Sequence, residues 1–285
     1  MIARRGGIAA EEARAAVERG GAFVRGKRVK DPAFAVAAGD AIEVQLREPG
    51  APPGPPSPLE PSRLLHLSAQ VVAVDKPAGV LAQEGRAGGA ALPELVAALL
   101  RARGEAEQAL LVHRLDRGTT GCTLLARTRG AQAALLEEFR LGRVRKEYRA
   151  WVQGEPPGDE FAVDLALGAD PHAPGKRRPD PRGEDARTRF TVLRRLPGLA
   201  LLAAFPETGR THQVRVHLAA RGLPLLGDAR YGGPRALTRE GGERLELARP
   251  LLHALSIEIA HPAGGRLAVA APLPLDFDEP ERFAR

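Results

Sequence analysis

Cysteine is almost absent from this chain: Cys122 is the single one among 285 residues. One cysteine cannot form an intrachain disulfide, which is typical of a protein kept in a reducing compartment. The sequence also lacks any run of about 18 uncharged apolar residues, so we expect no membrane-spanning helix. Near the N-terminus Glu11 and Glu12 interrupt the apolar residues, which argues against a secretory signal. These absences predict a cytoplasmic globular protein.

Positive charge, by contrast, is in excess. The formal net charge is +7 and the sequence pI is about 10.2. Most of the basic residues are arginines, whose planar donor groups suit phosphates and stack on bases. This balance favours a nucleic-acid partner. A coding bias toward arginine, alanine, glycine and proline would produce the same composition, so charge alone leaves both explanations open.

The chain divides at a stretch that is rich in proline. Residues 1–47 have the pattern of a small module, with a helix over 8–19 followed by strands within 22–29 and 38–46. Residues 48–61 are nearly all proline, glycine and small polar residues, and such a composition predicts an extended linker over 48–63. Residues 64–285 then form the larger domain.

The larger domain has the pattern of an α+β fold. Helices are predicted over 92–103 and 130–142. Strands are predicted over 71–82 (with a turn at Lys76-Pro77), 122–127, 147–154, 160–167, 188–196 and 199–205, and a β-hairpin over 251–274. Many strands follow one another without an intervening helix, which favours a mixed, mostly antiparallel sheet. Residues 168–187 are polar and proline-rich, and we expect a mobile loop there.

A carboxylate between arginines is the first candidate for chemistry. In HRLDRGTTG (113–121), Asp116 lies between Arg114 and Arg117. Neighbouring guanidinium groups favour the ionised form of a carboxylate, which suits a nucleophile or a base. The same pattern also fits an ordinary surface ion pair.

Two further segments present polar groups at regular spacing. In TGRTHQVRVHLAARG (208–222) we predict a helix that packs one face and presents Arg215 and His212 from the other, with residues 208–210 at an anion-binding entrance. In RKEYRAWVQG (145–154), Lys146 and Tyr148 lie on the same side of a predicted strand. A solvated basic helix and a half-buried core tyrosine are the alternative interpretations.

These segments, in this order, resemble the RluA-type RNA pseudouridine synthases. The family signature HRLD-R-x-T/S-S-G stands here as HRLDRGTTG, with Thr120 in place of the usual serine. The other matching blocks are DKPAGVLAQEG (75–85), KEYRAWVQG (146–154), TGRTHQVRVHL (208–218), GLPLLGDARYG (222–232) and LHALSIEIAHP (252–262). Residues 1–47 resemble an S4-type RNA-binding module with a shortened first helix.

The resemblance implies a fold, a reaction and a set of roles. The fold is that of a pseudouridine synthase, and the reaction isomerises uridine in a structured RNA without cofactor or metal. Asp116 would be the catalytic aspartate, with Arg215 as its ion-pair partner. Tyr148 would stack on the flipped base, and Arg114 would fill the space that the base leaves. The remaining residues expected to contact RNA are Arg117, Lys146, Arg210 and His212.

The partner implied is RNA. Ribosomal RNA is favoured by the S4-like module, transfer RNA is the alternative, and we expect a monomer.

Three other classes of protein are weighed against this one. A glycosidase would use two carboxylates, and Asp75 and Asp228 are available but less convincing than Asp116.

A metal enzyme would use His113, His212, His217 or His253, but their spacing is unlike that of metal ligands. Cys122 opens an apolar strand, which favours packing over nucleophilic chemistry. The third alternative, a binding-only RNA protein, would be expected to have lost at least one of Asp116, Arg114, Tyr148 and Arg215.

Overall fold

The computed structural model describes two compact units of the chain. They comprise residues 1–51 with 85–88, and residues 52–84 with 89–285. The described residues are 13, 14, 16, 17, 22–25, 27–29, 31–37, 39–44, 58–83, 91–239 and 241–284. The predicted helix over 8–19 lies partly, and the predicted linker largely, outside them.

The first unit contains a small antiparallel sheet. Its strands are β1 (Ala22–Val24), β2 (Lys27–Val29) and β3 (Ile42–Val44), in the order β2-β1-β3. Val17, Ala22, Val24 and Val29 form its buried core. The strands agree with those expected from the sequence, and residues 13, 14, 16 and 17 are helical.

The second unit is built on a ten-stranded sheet. The strands of this unit are β4 (Leu64–Leu67), β5 (Val71–Lys76), β6 (Leu110–Leu111), β7 (Thr120–Ala126), β8 (Arg145–Gln153), β9 (Glu160–Asp164), β10 (Leu167–Ala169), β11 (Arg177–Pro179), β12 (Arg187–Leu196), β13 (Leu199–Pro206), β14 (Ala236–Thr238), β15 (Arg244–Glu246), β16 (Leu252–Ala260) and β17 (Arg266–Ala270). The helices are α1 (Leu92–Ala102), α2 (Arg129–Arg140), α3 (Gln213–Ala220) and α4 (Glu279–Ala284), with 3-10 turns at Pro61–Arg63, Ala229–Tyr231 and Leu275–Phe277.

The sheet is mixed and mostly antiparallel, as predicted. Its order is β4-β5-β7-β16-β8-β13-β12-β9, with β17 beside β16 and β6 beside β7. Within it, β7 and β16 pair in parallel, whereas the other pairs run antiparallel. The strand and helix positions expected between 92 and 205 and the hairpin over 251–274 are confirmed to within a few residues.

Alternation along β5 shows how one half of the sheet is covered on both faces. Val71 and Ala73 pack in the same cluster as Leu135 of α2. Val72 and Val74 point to the other side and pack with the apolar face of α1. Successive side chains of a strand point to opposite faces, so a continuous apolar strand fits between two helices.

The other half of the sheet is covered by α3 on one face. Ala150 and Leu202 pack with Val214 and Leu218 of that helix. Trp151 points to the opposite face and donates its indole N–H to the carbonyl oxygen of Phe277 at 2.8 Å. The ends of β8 and β13 are thereby held next to α3, and the polar residues predicted to form the candidate site lie on these elements.

The segment 168–187 differs from the prediction of a mobile loop. It contains the hairpin β10–β11, and Leu167 and Glu184 exchange two backbone hydrogen bonds of 2.9 and 3.0 Å. Asp170 accepts a hydrogen bond from the backbone of His172 at 2.9 Å and so supports the turn. Proline and aspartate here stabilise a turn between two short strands. Composition alone predicted an irregular loop because the same residues are common in both. Of the second short strand predicted within 71–82, a single bridge between Leu81 and Ala91 is formed.

Gly121 is required where β7 and β16 pair in parallel. It lies opposite Ala254 with φ of +113°, and a Cβ atom on it would overlap the Ala254 backbone. We expect Gly121→Ala to lower the free energy of unfolding by about 3 kcal/mol or more, because backbone strain and a steric overlap add. Urea denaturation measures this loss.

Gly142→Ala is the matched control for Gly121→Ala. Gly142 also has a positive φ, +66°, but no atom lies within 4 Å of its added Cβ. Its substitution should cost only about 1 kcal/mol, the cost of the left-handed conformation. Equal losses for the two variants would contradict a role of close strand approach at Gly121.

Candidate active site

A cleft of about 680 Å³ opens at one edge of the sheet in the second unit. Its walls come from the loop before β7, from α2, from β8 and from the segment between β13 and α3. Its lining includes Asp116, Lys146, Tyr148, Thr208 and His212. Three of the blocks singled out in the sequence, 113–121, 146–154 and 208–218, therefore contribute to one cavity.

Hydrogen bonds from the turn after β5 and within the loop itself hold the loop that carries Asp116. The backbone N–H of Thr119 donates to the carbonyl of Asp116 at 3.1 Å. The carbonyl of Arg117 accepts from the backbone of Gly79 at 2.9 Å and from Nζ of Lys76 at 3.3 Å. The turn after β5 thus holds the residue next to Asp116.

Lys76 is fully buried within this turn. Nζ also donates to the carbonyls of Pro77 and Val80 at 3.0 Å each. Burial lowers the pKa of Lys76 to about 7. Sequence reasoning gave Lys76 no role. Its signal was a lysine one residue after the buried apolar run of residues 71–74 and directly before Pro77.

Arg215 joins two carboxylates. Its Nη1 donates to Oδ2 of Asp116 at 3.1 Å, while Nε and Nη2 donate to the two oxygens of Asp228 at 2.7 and 2.8 Å. Arg215 is 3% exposed and Asp228 is 1% exposed. Burial opposes the charge of Arg215, but the hydrogen bonds and charge of Asp228 and Asp116 outweigh it and raise the pKa of Arg215.

The resemblance predicted Asp116 and Arg215 as partners, whereas Asp228 was noted only as an available second carboxylate and not as a partner of Arg215. Its signal was GDARYG, an aspartate between glycines in a matched block. The neighbours in sequence, Arg114 and Arg117, are directed elsewhere: Arg114 donates to Oγ1 of Thr211 at 2.8 Å, and Nε of Arg117 donates to the carbonyl of Gly79 at 3.0 Å. The arginine that bonds Asp116 thus lies 99 positions away.

The helix predicted over 208–222 is shorter than expected and is buried. α3 begins at Gln213, so Thr211 and His212 precede it, and residues 213–218 are all buried. The helix therefore lacks the predicted division into one packed and one presented face, and solvent reaches only its end at Ala219 and Ala220. Arg215 is directed to Asp116 as predicted, but it reaches that carboxylate from inside the protein.

The predicted anion-binding entrance to this helix is occupied by a side chain of the protein. Oε1 of Gln213 accepts hydrogen bonds from Oγ1 of Thr208 at 2.7 Å and from the backbone of Arg210 at 3.0 Å. The guanidinium of Arg210 contacts Glu184 at 2.9 Å and the carbonyl of Asp185 at 3.0 Å. Arg210 lies on the cleft wall, tied to the segment that follows β11.

Lys146 and Tyr148 lie on the same side of β8 and both line the cleft, as predicted. Nζ of Lys146 donates to the carbonyl of Thr208 at 2.8 Å, and burial lowers the pKa of Lys146 to about 8. Burial raises the pKa of Tyr148, so its hydroxyl stays protonated. The cleft therefore combines a carboxylate, an ammonium group and an aromatic ring.

His113 and His217, two of the histidines weighed as metal ligands, are bound by groups of the protein itself. Nε2 of His113 accepts from the backbone of Leu124 at 2.9 Å, and burial lowers the pKa of His113 to about 3. His217 contacts Thr188 and the carbonyl of Leu165 at 2.9 and 3.1 Å. No group of three or more potential metal ligands occurs among the described residues. Cys122 is buried, and burial raises the pKa of its thiol to about 12.

Comparisons with known proteins show the family of this chain. The family model described as RNA pseudouridylate synthase matches residues 70–220. Dual-specificity RNA pseudouridine synthase RluA of Escherichia coli is 36% identical over 217 residues, which cover 75% of this chain and 93% of that protein. Ribosomal large subunit pseudouridine synthase D of Pasteurella multocida is 32% identical over 271 residues, which cover 92% of this chain and 83% of that protein.

A solved structure supports the same assignment. Human RNA pseudouridylate synthase domain containing 4 superposes with a TM-score of 0.62 and 28% identity, covering 76% of this chain and 90% of that one. The chain therefore belongs to the RNA pseudouridine synthase family, a family of isomerases, and is of the RluA type. Across the described residues, no helix is long and apolar enough to cross a membrane.

Asp228 does not line the cleft, but we expect it to contribute strongly to the stability of the fold. Asp228→Asn removes the charge that accompanies Arg215 in the interior, and we expect a loss of about 3 kcal/mol in the free energy of unfolding. Asp276→Asn is the control. Asp276 also binds an arginine, Arg249, through two bonds of 2.7 Å, but its side chain is 34% exposed.

Because the backbone carbonyls of Pro250 and Leu252 also accept from Arg249 and Asp276 itself is partly exposed, the Asp276 control should cost about 1 kcal/mol. Urea denaturation at pH 7 compares the two variants. If Asp228→Asn lowers the free energy of unfolding no more than Asp276→Asn does, the result would contradict the requirement of Arg215 for two carboxylates.

Proposed function

We propose that this protein isomerises specific uridines of ribosomal RNA to pseudouridine, with Asp116 as the catalytic carboxylate. The observation that supports this most directly is the arrangement of the two oxygens of Asp116. Oδ2 accepts from Arg215, whereas Oδ1 faces His212 at 3.9 Å, beyond hydrogen-bond distance. One oxygen is fixed by the protein and the other is available to a nucleotide in the cleft.

The arginine holds the carboxylate in one orientation. Arg215 cannot turn away, because Asp228 holds its other edge with two hydrogen bonds. A carboxylate held in one orientation loses less entropy when it reacts.

The reaction rearranges bonds without changing the composition of the nucleotide. The bond between C1′ of the ribose and N1 of uracil breaks, the base turns, and C1′ bonds to C5. The hydrogen on C5 then leaves and N1 gains a proton. Attack on the nucleotide and removal of a ribose proton both begin with an ionised carboxylate, and the placement of Asp116 suits either.

The other cleft residues fit the steps that surround this chemistry. A base inside a stack must be flipped out, which costs a few kcal/mol. Arg114 is exposed at the edge of the cleft and would fill the vacated space, while Tyr148 would stack on the flipped uracil. Lys146, together with Arg117, Arg210 and His212, would contact the RNA.

Ribosomal RNA is the substrate class that the relatives favour. The Pasteurella protein, named for the large ribosomal subunit, aligns with 92% of this chain, and the Escherichia coli relative is named as having dual specificity, so transfer RNA is the second candidate. The first unit, with its three-stranded sheet, would act as an S4-like RNA-binding module. We further propose that the protein acts in the cytoplasm as a monomer.

Release of tritium from RNA labelled at C5 of uridine tests the reaction. Wild-type protein should release tritium from total ribosomal RNA, and Asp116→Asn should lower the rate by about a thousandfold or more, since the reacting group is lost. The charge-matched control is Asp159→Asn, because Asp159 is exposed and pairs with Arg195 at the far end of β12. It should retain the wild-type rate.

The outcome also decides between substrates and between classes of protein. Release from transfer RNA alone would overturn the ribosomal assignment. Full activity of Asp116→Asn would overturn the role of Asp116. Absence of release from both RNAs, with folded wild-type protein bound to either, would favour the binding-only alternative.

Binding of RNA should depend on pH through Lys146. Because its pKa is lowered to about 8, the ammonium is charged below that pH and neutral above it. The affinity for a mixed-sequence single-stranded RNA at fixed salt should therefore fall as pH rises from 7 to 9. Fluorescence anisotropy measures the dissociation constant.

Lys146→Arg is the control for this pH dependence, since a guanidinium keeps its charge over the whole range. It should bind with an affinity that stays nearly constant between pH 7 and 9. The same fall in affinity for wild type and Lys146→Arg would assign the titration to another group.

A further inference from the structure

His212 has an unusual backbone conformation for a residue with a side chain. Its φ and ψ are 58° and 18°, the left-handed region, which residues other than glycine seldom adopt, although asparagine, aspartate and histidine do so more often than the rest. Although it precedes the first residue of α3, its side chain makes no capping hydrogen bond to that helix. Strained conformations at a site persist where surrounding contacts require them, so the contacts of the ring are informative.

The imidazole of His212 lies between Tyr231 and Asp116. Nδ1 is 2.7 Å from the hydroxyl of Tyr231, and Nε2 is 3.9 Å from Oδ1 of Asp116. The Tyr231 hydroxyl also accepts from the backbone N–H of Arg177 in β11 at 3.0 Å. The guanidinium of Arg215 lies over the Tyr231 ring, 5.0 Å from its centre.

The position of the histidine proton follows from these contacts. Burial lowers the pKa of His212 to about 4, so at neutral pH one ring nitrogen carries hydrogen and the other accepts. Burial raises the pKa of Tyr231, so its hydroxyl keeps its single proton. Among the described residues, Nδ1 of His212 is the acceptor within reach of that proton, because the Arg177 contact is a donor.

The charge on the other side of the ring requires the same arrangement. If Nδ1 accepts from Tyr231, the ring hydrogen lies on Nε2 and points toward Oδ1 of Asp116. The opposite tautomer would direct a lone pair at a carboxylate oxygen, which is repulsive, and would leave the tyrosine proton without an acceptor. The hydrogen bond at one ring nitrogen thus sets the state of the other.

Resting on the proposed function, we propose that Tyr231 is a positioning residue that fixes His212 as the Nε2–H tautomer, and that this N–H hydrogen-bonds an oxygen of the target nucleotide beside Oδ1 of Asp116. Nε2 of His212 lies 3.9 Å from Oδ1 of Asp116, which is beyond hydrogen-bond distance. A nucleotide oxygen in the cleft, next to Oδ1, can accept the hydrogen of Nε2. Uracil and ribose both carry acceptor oxygens.

Nitrogen NMR of the free, full-length protein tests the tautomer directly. In wild type, Nε2 of His212 should show the resonance of a protonated ring nitrogen and Nδ1 that of an unprotonated one. Tyr231→Phe keeps the ring over Arg215 but lacks the hydroxyl, and should give a mixture of tautomers. The spectrum of His212→Asn identifies which signals belong to His212. A proton on Nδ1 in wild type would overturn the proposal.

Activity tests the use of that N–H. Under single-turnover conditions Tyr231→Phe should lower the rate of tritium release about tenfold, the effect of misplacing one hydrogen bond, with the RNA dissociation constant changed less than about twofold. Unchanged turnover in Tyr231→Phe would contradict a positioning role. Thermal unfolding of the variant checks that the fold is kept.

Two substitutions of His212 separate the donor from the backbone conformation. Glutamine places an amide nitrogen as many bonds from Cβ as Nε2 is, whereas asparagine reaches only the position of Nδ1. Asparagine, however, adopts the left-handed conformation more readily. If the N–H matters, His212→Gln should be at least about fivefold faster than His212→Asn; if the conformation alone matters, the order reverses and the proposal fails.

These results are distinguishable from a failure of the proposed function. The NMR experiment measures the tautomer of His212 without RNA. The predicted tautomer can therefore be confirmed even if wild-type protein releases no tritium from either RNA, an outcome that would refute the proposed reaction. Conversely, wild-type release with a proton on Nδ1 keeps the reaction and refutes the role of Tyr231.

Discussion

Arg215 carries a full positive charge although the residue is only 3% exposed. An isolated charge in the protein interior is strongly disfavoured. Two carboxylates from different parts of the chain therefore have to meet it. Asp228 satisfies one edge completely, and Asp116 takes the remaining nitrogen. The stability of the interior and the orientation of the candidate catalytic group are thus one requirement.

The sheet supplies the frame that brings these partners together. Asp116 precedes β7, Tyr148 lies on β8, and Arg215 follows β13 by way of a short connection into α3. Gly121 lets β7 approach β16 closely enough to pair in parallel, which fixes where the Asp116 loop leaves the sheet. Groups on rigid strands and helices vary less in position than groups on free loops, and this suits a reaction that depends on placing one carboxylate.

Much of this could be predicted because it is encoded locally. Alternating and continuous apolar runs predicted most strands of the main sheet, and Thr128, which accepts from the backbone of Ala131, begins α2 as a capping residue does. The blocks around Asp116, Tyr148 and Arg215 predicted that these residues share a site, and they line or adjoin one cleft. The hairpin β10–β11 was missed because its composition resembles that of an irregular loop.

The sequence by itself determined the family, the α+β sheet and the identity of the reacting carboxylate as a proposal, since short motifs and local periodicity carry that information. Only the tertiary structure decided which groups touch. It paired Asp116 with an arginine 99 positions away, buried the first six residues of α3, and placed Asp228 and Tyr231 next to that arginine. Contacts between distant residues follow from packing and from the cost of burying a charge without a partner, and neither is visible in the spacing of residues along the chain.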